Sequence, residues 1–133
     1  MATIFTKIIS GEIPCHKVAE TENYLAFLDI RPLAKGHTLC IPKKENDFIF
    51  DLADDDLTGL ILFAKKVAKA INNEVTSKRI GLTVIGTEVP HTHIHLVPFH
   101  QESQMCFASP RVEMTHEEMA ELAAKLQAAF NAL

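Results

Sequence analysis

Three histidines alternate with other residues inside an apolar run. Residues 91–98 read His-Thr-His-Ile-His-Leu-Val-Pro. In an extended strand, side chains two positions apart point to the same face of the sheet. The spacing therefore predicts a strand over residues 91–97 in which the imidazoles of His91, His93 and His95 form a row. Such a row suits metal binding, phosphoryl or carbonyl chemistry, or a wet surface.

Length, charge and cysteine usage limit the class of protein. The 133 residues, 47% of them hydrophobic, supply one core, and no linker or internal repeat divides residues 1–133, so a single domain is expected. A net charge of −4 argues against broad nucleic-acid binding, which requires a positive surface. Three widely spaced cysteines, no signal-peptide pattern and no apolar run of about 20 residues predict a soluble, cytoplasmic protein without membrane contact.

The periodicity of the chain predicts an α+β fold. A short N-terminal helix capped by Thr3 and a C-terminal helix over about 115–131 that begins with a capping box at Thr115 are expected. A long central helix is expected from about 54 to 72, with apolar residues at helical spacing and with Asp54, Asp55 and Asp56 placed to cap it and to favour its dipole. The strands are predicted at about 16–20, 24–29, 37–42, 80–86 and 91–97. Because these strands come mainly in neighbouring pairs, we expect a mainly antiparallel sheet of about five strands, covered on one face by helices.

The histidine row has three competing interpretations. It could be the polar half of a half-exposed strand, although charging neighbouring imidazoles would build repulsion. His-x-His is a common metal-binding pair, but a cupin-type site needs a Glu where Val97 and Pro98 stand. In phosphoryl chemistry one neutral imidazole attacks phosphorus, another donates a proton, and others hydrogen-bond the oxygens. The row has a member for each task, which favours phosphoryl chemistry.

The histidine run resembles the motif of the histidine triad (HIT) family, in its Hint-like branch, where three histidines alternate with apolar residues. Only Thr92 is a mild exception. The resemblance extends to three further segments: Ile-Phe-x-Lys-Ile-Ile-x-Gly-Glu-Ile-Pro over 4–14, Ala-Phe-Leu-Asp-Ile-x-Pro over 26–32, and Gly-His-x-Leu-x-Ile-Pro-Lys over 36–43. Together these matches cover about residues 3–100 and imply a HIT-like domain.

The resemblance implies a hydrolase that acts on the α-phosphate of nucleoside phosphoramidates or dinucleoside polyphosphates. His93 would be the nucleophile and form a covalent nucleotidyl-histidine. His95 would support the phosphate and the leaving-group proton transfer, while His91 and His37 would orient the network. The substrate would be a purine nucleotide, and the protein would be a homodimer that extends its sheet across a two-fold axis.

The resemblance also implies a nucleotide-binding slot. Asp29 matches the family's acidic residue that accepts hydrogen bonds from the ribose hydroxyls, although a carboxylate at this position could equally cap the following turn. The apolar residues of the slot would be Phe5, Ile8, Phe27, Leu28, Ile30 and Val89. Several of these would be ordinary core residues in any fold.

Two departures from the family pattern bear on metal and substrate. Some relatives bind a structural zinc at positions that correspond here to Thr3, Thr6 and Glu45, which replace a thiolate or imidazole poorly. We therefore predict no metal and no cofactor. Glu88 would repel a phosphate unless it is turned away, which keeps open a nucleotide-sensing module with little turnover. A metal-dependent hydrolase is the other alternative.

Overall fold

The computed structural model describes residues 2–133, in which helices and strands follow one another along the chain. In chain order they are α1 (Ile4–Ile9), β1 (Lys17–Glu20), β2 (Tyr24–Leu28), β3 (Thr38–Pro42), α2 (Asp54–Glu74), β4 (Arg79–Thr83), β5 (Ile94–Phe99) and α3 (His116–Asn131). Two short 3-10 helices, Ile49–Asp51 and Glu102–Met105, lie in the loops.

The strands of this described region form one five-stranded antiparallel sheet in the order β1-β2-β3-β5-β4. Helices α2 and α3 pack together against one face of the sheet. Helix α1 lies on the other face, where Phe5 packs with Leu25, Phe27 and Ile41. The predicted α+β class is confirmed, with a difference in detail: the two long helices share one face, and the short one covers part of the other.

Alternation along β2 explains how the sheet serves two cores. Ala26 and Leu28 belong to the core beneath α2 and α3, whereas Leu25 and Phe27 belong to the core beneath α1. Because side chains alternate between the faces of a strand, a strand buried on both faces is apolar throughout. Helix α2 contributes an apolar stripe to the first core, with these residues buried: Leu60, Ala64, Val67 and Ile71. Within residues 2–133 no helix is both long and apolar enough to cross a bilayer.

Side-chain caps begin two of the helices as the sequence predicts. The hydroxyl of Thr3 accepts a hydrogen bond from the Thr6 N–H at the start of α1. The hydroxyl of Thr115 accepts from the Glu118 N–H, and the Glu118 carboxylate accepts from the Thr115 N–H. Helix α2 has Ala53 at its N-cap with no side-chain bond, so its first-turn aspartates act on the helix dipole and do not cap it.

The strand predicted over residues 91–97 begins three residues later, at Ile94. The backbone just before it bonds to loops, since the His91 N–H donates to Val89 O at 2.8 Å and the Thr92 N–H donates to Asn46 O at 2.6 Å. The β3–β5 pairing ends at Cys40 and Ile94; its continuation would bring Pro42 opposite Thr92, and proline has no N–H for the ladder. His91 and His93 therefore precede the strand and only His95 lies in it, so the prediction of one strand that carries all three histidines is wrong.

Candidate active site

A cavity of about 520 Å³ lies between α1, the α1-facing side of the sheet and the loop before β5. Nine residues predicted to act in catalysis or nucleotide binding line it: Phe5, Ile8, Phe27, Leu28, Asp29, Ile30, Val89, His93 and His95. The side chain of Leu28 packs into the core beneath α2, which leaves its backbone to border the cavity. His91 and His37 do not line the wall, because both rings are fully buried behind it.

The side chains of His37 and His95 form a directed hydrogen-bond chain. The Leu33 N–H donates to Nδ1 of His37 at 3.0 Å, so the hydrogen of the neutral His37 ring must sit on Nε2. That nitrogen lies 3.0 Å from Nδ1 of His95 and donates to it. His95 consequently carries its own hydrogen on Nε2, which is left to donate to a ligand in the cavity.

Burial keeps both rings of this chain neutral. It lowers the pKa of His37 to about 4, and the Asp29 carboxylate opposes this shift only in part. Burial also lowers the pKa of His95 to about 3. Repulsion from His93 and His37 whenever those rings are protonated, and from the Arg111 cation, adds to that shift. At neutral pH both residues are therefore hydrogen-bonding imidazoles and not cations.

His93 has the opposite tautomer, with its hydrogen on Nδ1. That nitrogen lies 2.7 Å from the carbonyl oxygen of His91 and donates to it, which leaves the Nε2 lone pair unprotonated. Burial lowers the pKa of His93, so the lone pair is available at neutral pH. The His93 ring lies edge-on to Phe5, with ring centroids 5.0 Å apart, and next to His95 at 4.9 Å. A free imidazole lone pair thus sits beside a free imidazole N–H.

The ring of His91 is fixed at both nitrogens. Nε2 donates to the carbonyl of Pro42 at 2.9 Å, and Nδ1 accepts from the hydroxyl of Thr3 at 3.0 Å. His91 acts on the cavity only through its backbone carbonyl, which holds His93. The triad histidines therefore have three distinct environments.

Asp29 lies at the end of β2 with two different oxygens. One, Oδ1, accepts from the Arg31 N–H at 2.8 Å and so caps the following turn. The other, Oδ2, lies 3.6 Å from Nε2 of His37 and belongs to a half-buried side chain that lines the cavity. The turn-capping role is therefore present, and it leaves one carboxylate oxygen for a ligand.

Phe107 and Arg111 line the cavity, although no sequence pattern predicts them there. Phe107 lies edge-on to His95, with ring centroids 4.7 Å apart. Both residues come from the segment between β5 and α3, which has no periodic pattern. Their place in the sequence gives no signal, because the contact that brings them to the site spans about 80 residues to the loop after β2. Glu88, whose position before the histidine run predicts a place near the phosphate, also lines the cavity.

The positions that correspond to a zinc site in some relatives do come together here. The Thr3 hydroxyl lies 3.0 Å from His91 Nδ1 and 3.1 Å from the Thr6 hydroxyl, which donates to the Glu45 carboxylate at 3.4 Å. Two hydroxyls and a carboxylate lack the thiolates that such a zinc site uses, so these residues do not fit the ion. Hydrogen bonds pair Thr3 with His91 and Thr6 with Glu45 instead.

A second possible ion site consists of Asp29, His37 and His95, whose ligand atoms lie within 4.8 Å of one another. The nitrogens that would face an ion are His37 Nε2 and His95 Nδ1, and the first carries a hydrogen because Leu33 donates to the other side of its ring. Binding a metal there would require loss of that hydrogen from a ring already bonded at Nδ1. These residues fit a hydrogen-bonded pair better than a metal.

Comparisons with known proteins agree with this geometry. The HIT domain family matches residues 10–102. The adenosine 5'-monophosphoramidase hnt1 of Schizosaccharomyces pombe is 42% identical over 99 residues, which are 74% of this chain and 74% of that protein. The corresponding HNT1 protein of Saccharomyces cerevisiae is 37% identical over 96% of this chain and 82% of its own length.

Solved structures show the same fold. A Hit-like protein of Bartonella henselae superposes with a TM-score of 0.83 at 32% identity, covering 96% of this chain and 95% of its own. A zinc-bound histidine triad family protein of Mycobacterium smegmatis has a TM-score of 0.84 at 28% identity, covering 99% and 95%. From the sequence match, the superposition and the arrangement of its histidines, this chain belongs to the HIT family.

Proposed function

We propose that this protein is a nucleotide hydrolase that acts on the α-phosphate of nucleoside phosphoramidates or dinucleoside polyphosphates, with residues 1–133 as one HIT domain. The observation that carries the proposal is the pairing of two tautomers in one cavity: His93 offers a free Nε2 lone pair, and His95 next to it offers a free Nε2–H. A nucleophile beside a hydrogen-bond donor is what nucleotidyl transfer requires. The two similar yeast proteins carry the name adenosine 5'-monophosphoramidase, which is consistent with this chemistry.

The first step makes a covalent nucleotidyl-histidine. Nε2 of His93 forms a bond to the α-phosphorus, and the bond from phosphorus to the leaving group breaks with its electron pair on the leaving group. An amine leaving group takes its proton from water, because a neutral His95 that gave up its Nε2–H would become an imidazolate. The Nδ1–H of His93 stays hydrogen-bonded to the carbonyl of His91 and stabilises the developing imidazolium. His95 keeps its Nε2–H and donates it as a hydrogen bond to the phosphoryl oxygens.

The second step releases a nucleoside monophosphate. Water attacks phosphorus and loses a proton to the solvent, and the P–N bond to His93 breaks with its electron pair on the imidazole. His37 keeps His95 in the required tautomer through both steps because Leu33 fixes the His37 hydrogen on Nε2. No metal or cofactor takes part in this proposal.

The apolar end of the cavity is the proposed site of a purine base. Phe5, Ile8, Phe27 and Val89 pack together there, and the free oxygen of Asp29 accepts from the ribose hydroxyls. Ile30 is 74% exposed and would cover the base only from the rim. This slot is large enough for a nucleoside, because the whole cavity measures about 520 Å³.

Turnover of an adenosine phosphoramidate by His93→Ala and by His100→Ala tests the proposal. Loss of the nucleophile should lower kcat by about 10⁴-fold or more, whereas His100 is exposed and lines no part of the cavity, so it serves as a matched histidine control. Equal activity of the two variants would refute the proposed nucleophile.

A sensing module is the second candidate, and Glu88 at the cavity wall is the observation that favours it. A carboxylate near a phosphate slows attack by a nucleophile on an already anionic group. Calorimetry with adenosine monophosphate on the sample used for turnover separates the candidates. Micromolar binding without hydrolysis of either substrate class would favour the sensor.

We also propose a homodimer, with its interface at the β4 edge of the sheet. A groove of about 770 Å³ is lined by apolar side chains of α2, β4 and the neighbouring loops: Phe48, Phe50, Leu57, Ile61, Leu82 and Ile85. Phe50 is 76% exposed and Leu82 is 50% exposed, which is costly for an isolated chain. Strand β4 is an edge of the sheet, so a second copy could extend the sheet there.

A cytoplasmic location is also proposed. Cys15, Cys40 and Cys106 are free in the structure, as expected of a protein kept in a reducing compartment.

A further inference from the structure

The guanidinium of Arg111 is held in one place at the cavity by two backbone carbonyls. Nη1 donates to the carbonyl of Arg31 at 2.8 Å, and Nη2 donates to the carbonyl of Phe107 at 3.3 Å. The guanidinium also lies over the Phe107 ring, 5.6 Å from its centroid. The half-buried Arg111 is thus fixed to the loop after β2 and to its own loop.

This arrangement leaves hydrogen-bond donors free. A guanidinium has five N–H groups, and the two carbonyls use one each, so three remain. Because Arg111 lines the cavity, these donors are available to a ligand there. Because the guanidinium is already fixed, binding anionic oxygens costs little side-chain conformational entropy.

Charges of both signs lie near the histidines. The carboxylates of Asp29 and Glu88 act to raise the pKa of His93, and Asp29 also acts to raise the pKa of His37. The positive charge of Arg111 acts to lower the pKa values of His95 and His37. The Phe107 ring beneath the guanidinium lies edge-on to both His95 and His37. Arg111 therefore lies on the Phe107 side of His95, where its charge reaches the histidine pair.

We infer that Arg111 binds the anionic group that follows the α-phosphate of the substrate, so that the protein favours nucleotides joined to a second phosphate over nucleotides joined to an amine. The inference rests on the proposed function, because it assumes that the α-phosphate lies at His93. It assigns a substrate class to the site.

The chemistry of the two leaving groups differs in what Arg111 can stabilise. When a P–O bond to a second phosphate breaks, the leaving oxygen keeps the electron pair and gains negative charge, which the Arg111 donors stabilise without any proton transfer. When a P–N bond breaks, the amine must take a proton and leaves without negative charge. Arg111 gives such a leaving group no stabilisation and repels it if it is protonated.

Binding tests the inference without relying on turnover. The probes are adenosine 5'-(α,β-methylene)diphosphate, which has the second anionic group and resists hydrolysis at that bond, and adenosine monophosphate, which lacks that group. Calorimetry on the full chain should show that Arg111→Gln raises the Kd of the diphosphate analogue about tenfold. The Kd of adenosine monophosphate should rise far less. Arg111→Lys should be intermediate, because it keeps the charge and loses the fork.

Arg79→Gln is the matched control, since Arg79 is exposed on β4 and does not line the cavity. It should bind both probes as the wild type does. Equal weakening of both probes by Arg111→Gln would mean that Arg111 contacts the α-phosphate or only holds its loop, and unchanged binding of both would mean no contact. Either result overturns the inference.

Kinetics then separates this inference from the proposed function. The ratio of kcat/KM for a diadenosine polyphosphate to kcat/KM for an adenosine phosphoramidate should fall about tenfold in Arg111→Gln. An unchanged ratio would contradict a role at the leaving group. Arg111-dependent binding of the analogue by a wild type that turns over neither substrate would refute the hydrolase and retain the Arg111 contact.

Discussion

Nε2 of His37 donates to Nδ1 of His95 across 3.0 Å, and the direction of this bond is set by a backbone N–H outside the histidine pair. Since Leu33 donates to the far side of the His37 ring, neither ring can take a second proton without breaking a bond. His37 therefore acts on the cavity by fixing the tautomer of His95.

This linkage predicts that His37 and His95 act as a unit. Each single substitution by alanine should lower kcat/KM by about 10²-fold or more, whereas the double variant should lose little more than either single variant. A double-mutant cycle on kcat/KM measures the coupling, with melting temperatures to confirm that each variant folds. Losses that multiply would show that the two rings act independently.

Stability should fall as the solution becomes acidic. The folded pKa values of His37 and His95, about 4 and about 3, lie below the ordinary value of 6.5, so the unfolded chain binds protons first. Their contribution is fully present above pH 6.5 and is lost as pH falls from 6.5 through about 4 for His37 and about 3 for His95, with each pKa unit worth about 1.4 kcal/mol.

Urea unfolding at pH 7, 5.5 and 4.5 measures this decline. The decline should be shallower in His37→Asn, which cannot take up the proton. An identical decline in this variant and in the wild type would show that His37 does not cause the loss of stability in acid.

Thr3 should stabilise the fold through His91 as well as through its helix cap. Thr3→Val removes the cap, worth about 1 kcal/mol, and leaves the buried Nδ1 of His91 without a donor, at about 1–3 kcal/mol more. Thr115→Val removes a similar cap from α3 with no histidine partner. In denaturant unfolding, the free energy of unfolding should therefore be lower in Thr3→Val than in Thr115→Val by about 1–3 kcal/mol. Equal losses would mean that the Thr3–His91 bond contributes nothing.

The apolar groove predicts an effect of charge on assembly. Leu82→Lys places an ammonium group in the proposed interface on β4 and should shift the protein toward monomers, because burying the charge is costly. Val112→Lys is the control, since Val112 is exposed but lies outside the groove. Sedimentation velocity over a concentration series measures the change. A monomeric wild type would rule out the proposed dimer.

Most helices and strands could be predicted from the sequence, because the features that define them depend on residues close together in the chain. The capping box at Thr115 and the apolar stripe of α2 depend on residues within a turn or two, and both occur where expected. The start of β5 was not predicted correctly, because it depends on Pro42, which is distant in the chain, and on backbone bonds to loops.

The site was predictable to the extent that a motif specifies it. The nine predicted lining residues converge on one cavity, yet alternation alone does not distinguish the bound ring of His91 from the free lone pair of His93. That difference comes from Thr3 and from a backbone carbonyl. Arg111 escaped prediction because it reaches the cavity through two carbonyl bonds that no sequence pattern encodes.

The transient bond between Nε2 of His93 and phosphorus can be trapped and weighed by mass spectrometry of protein quenched during turnover of an adenosine phosphoramidate. We expect an alkali-stable, acid-labile adduct of one nucleoside monophosphoryl group, located by peptide mapping at His93 and missing from His93→Ala. Full turnover with the adduct on another residue, or with none at any quench time, would contradict it.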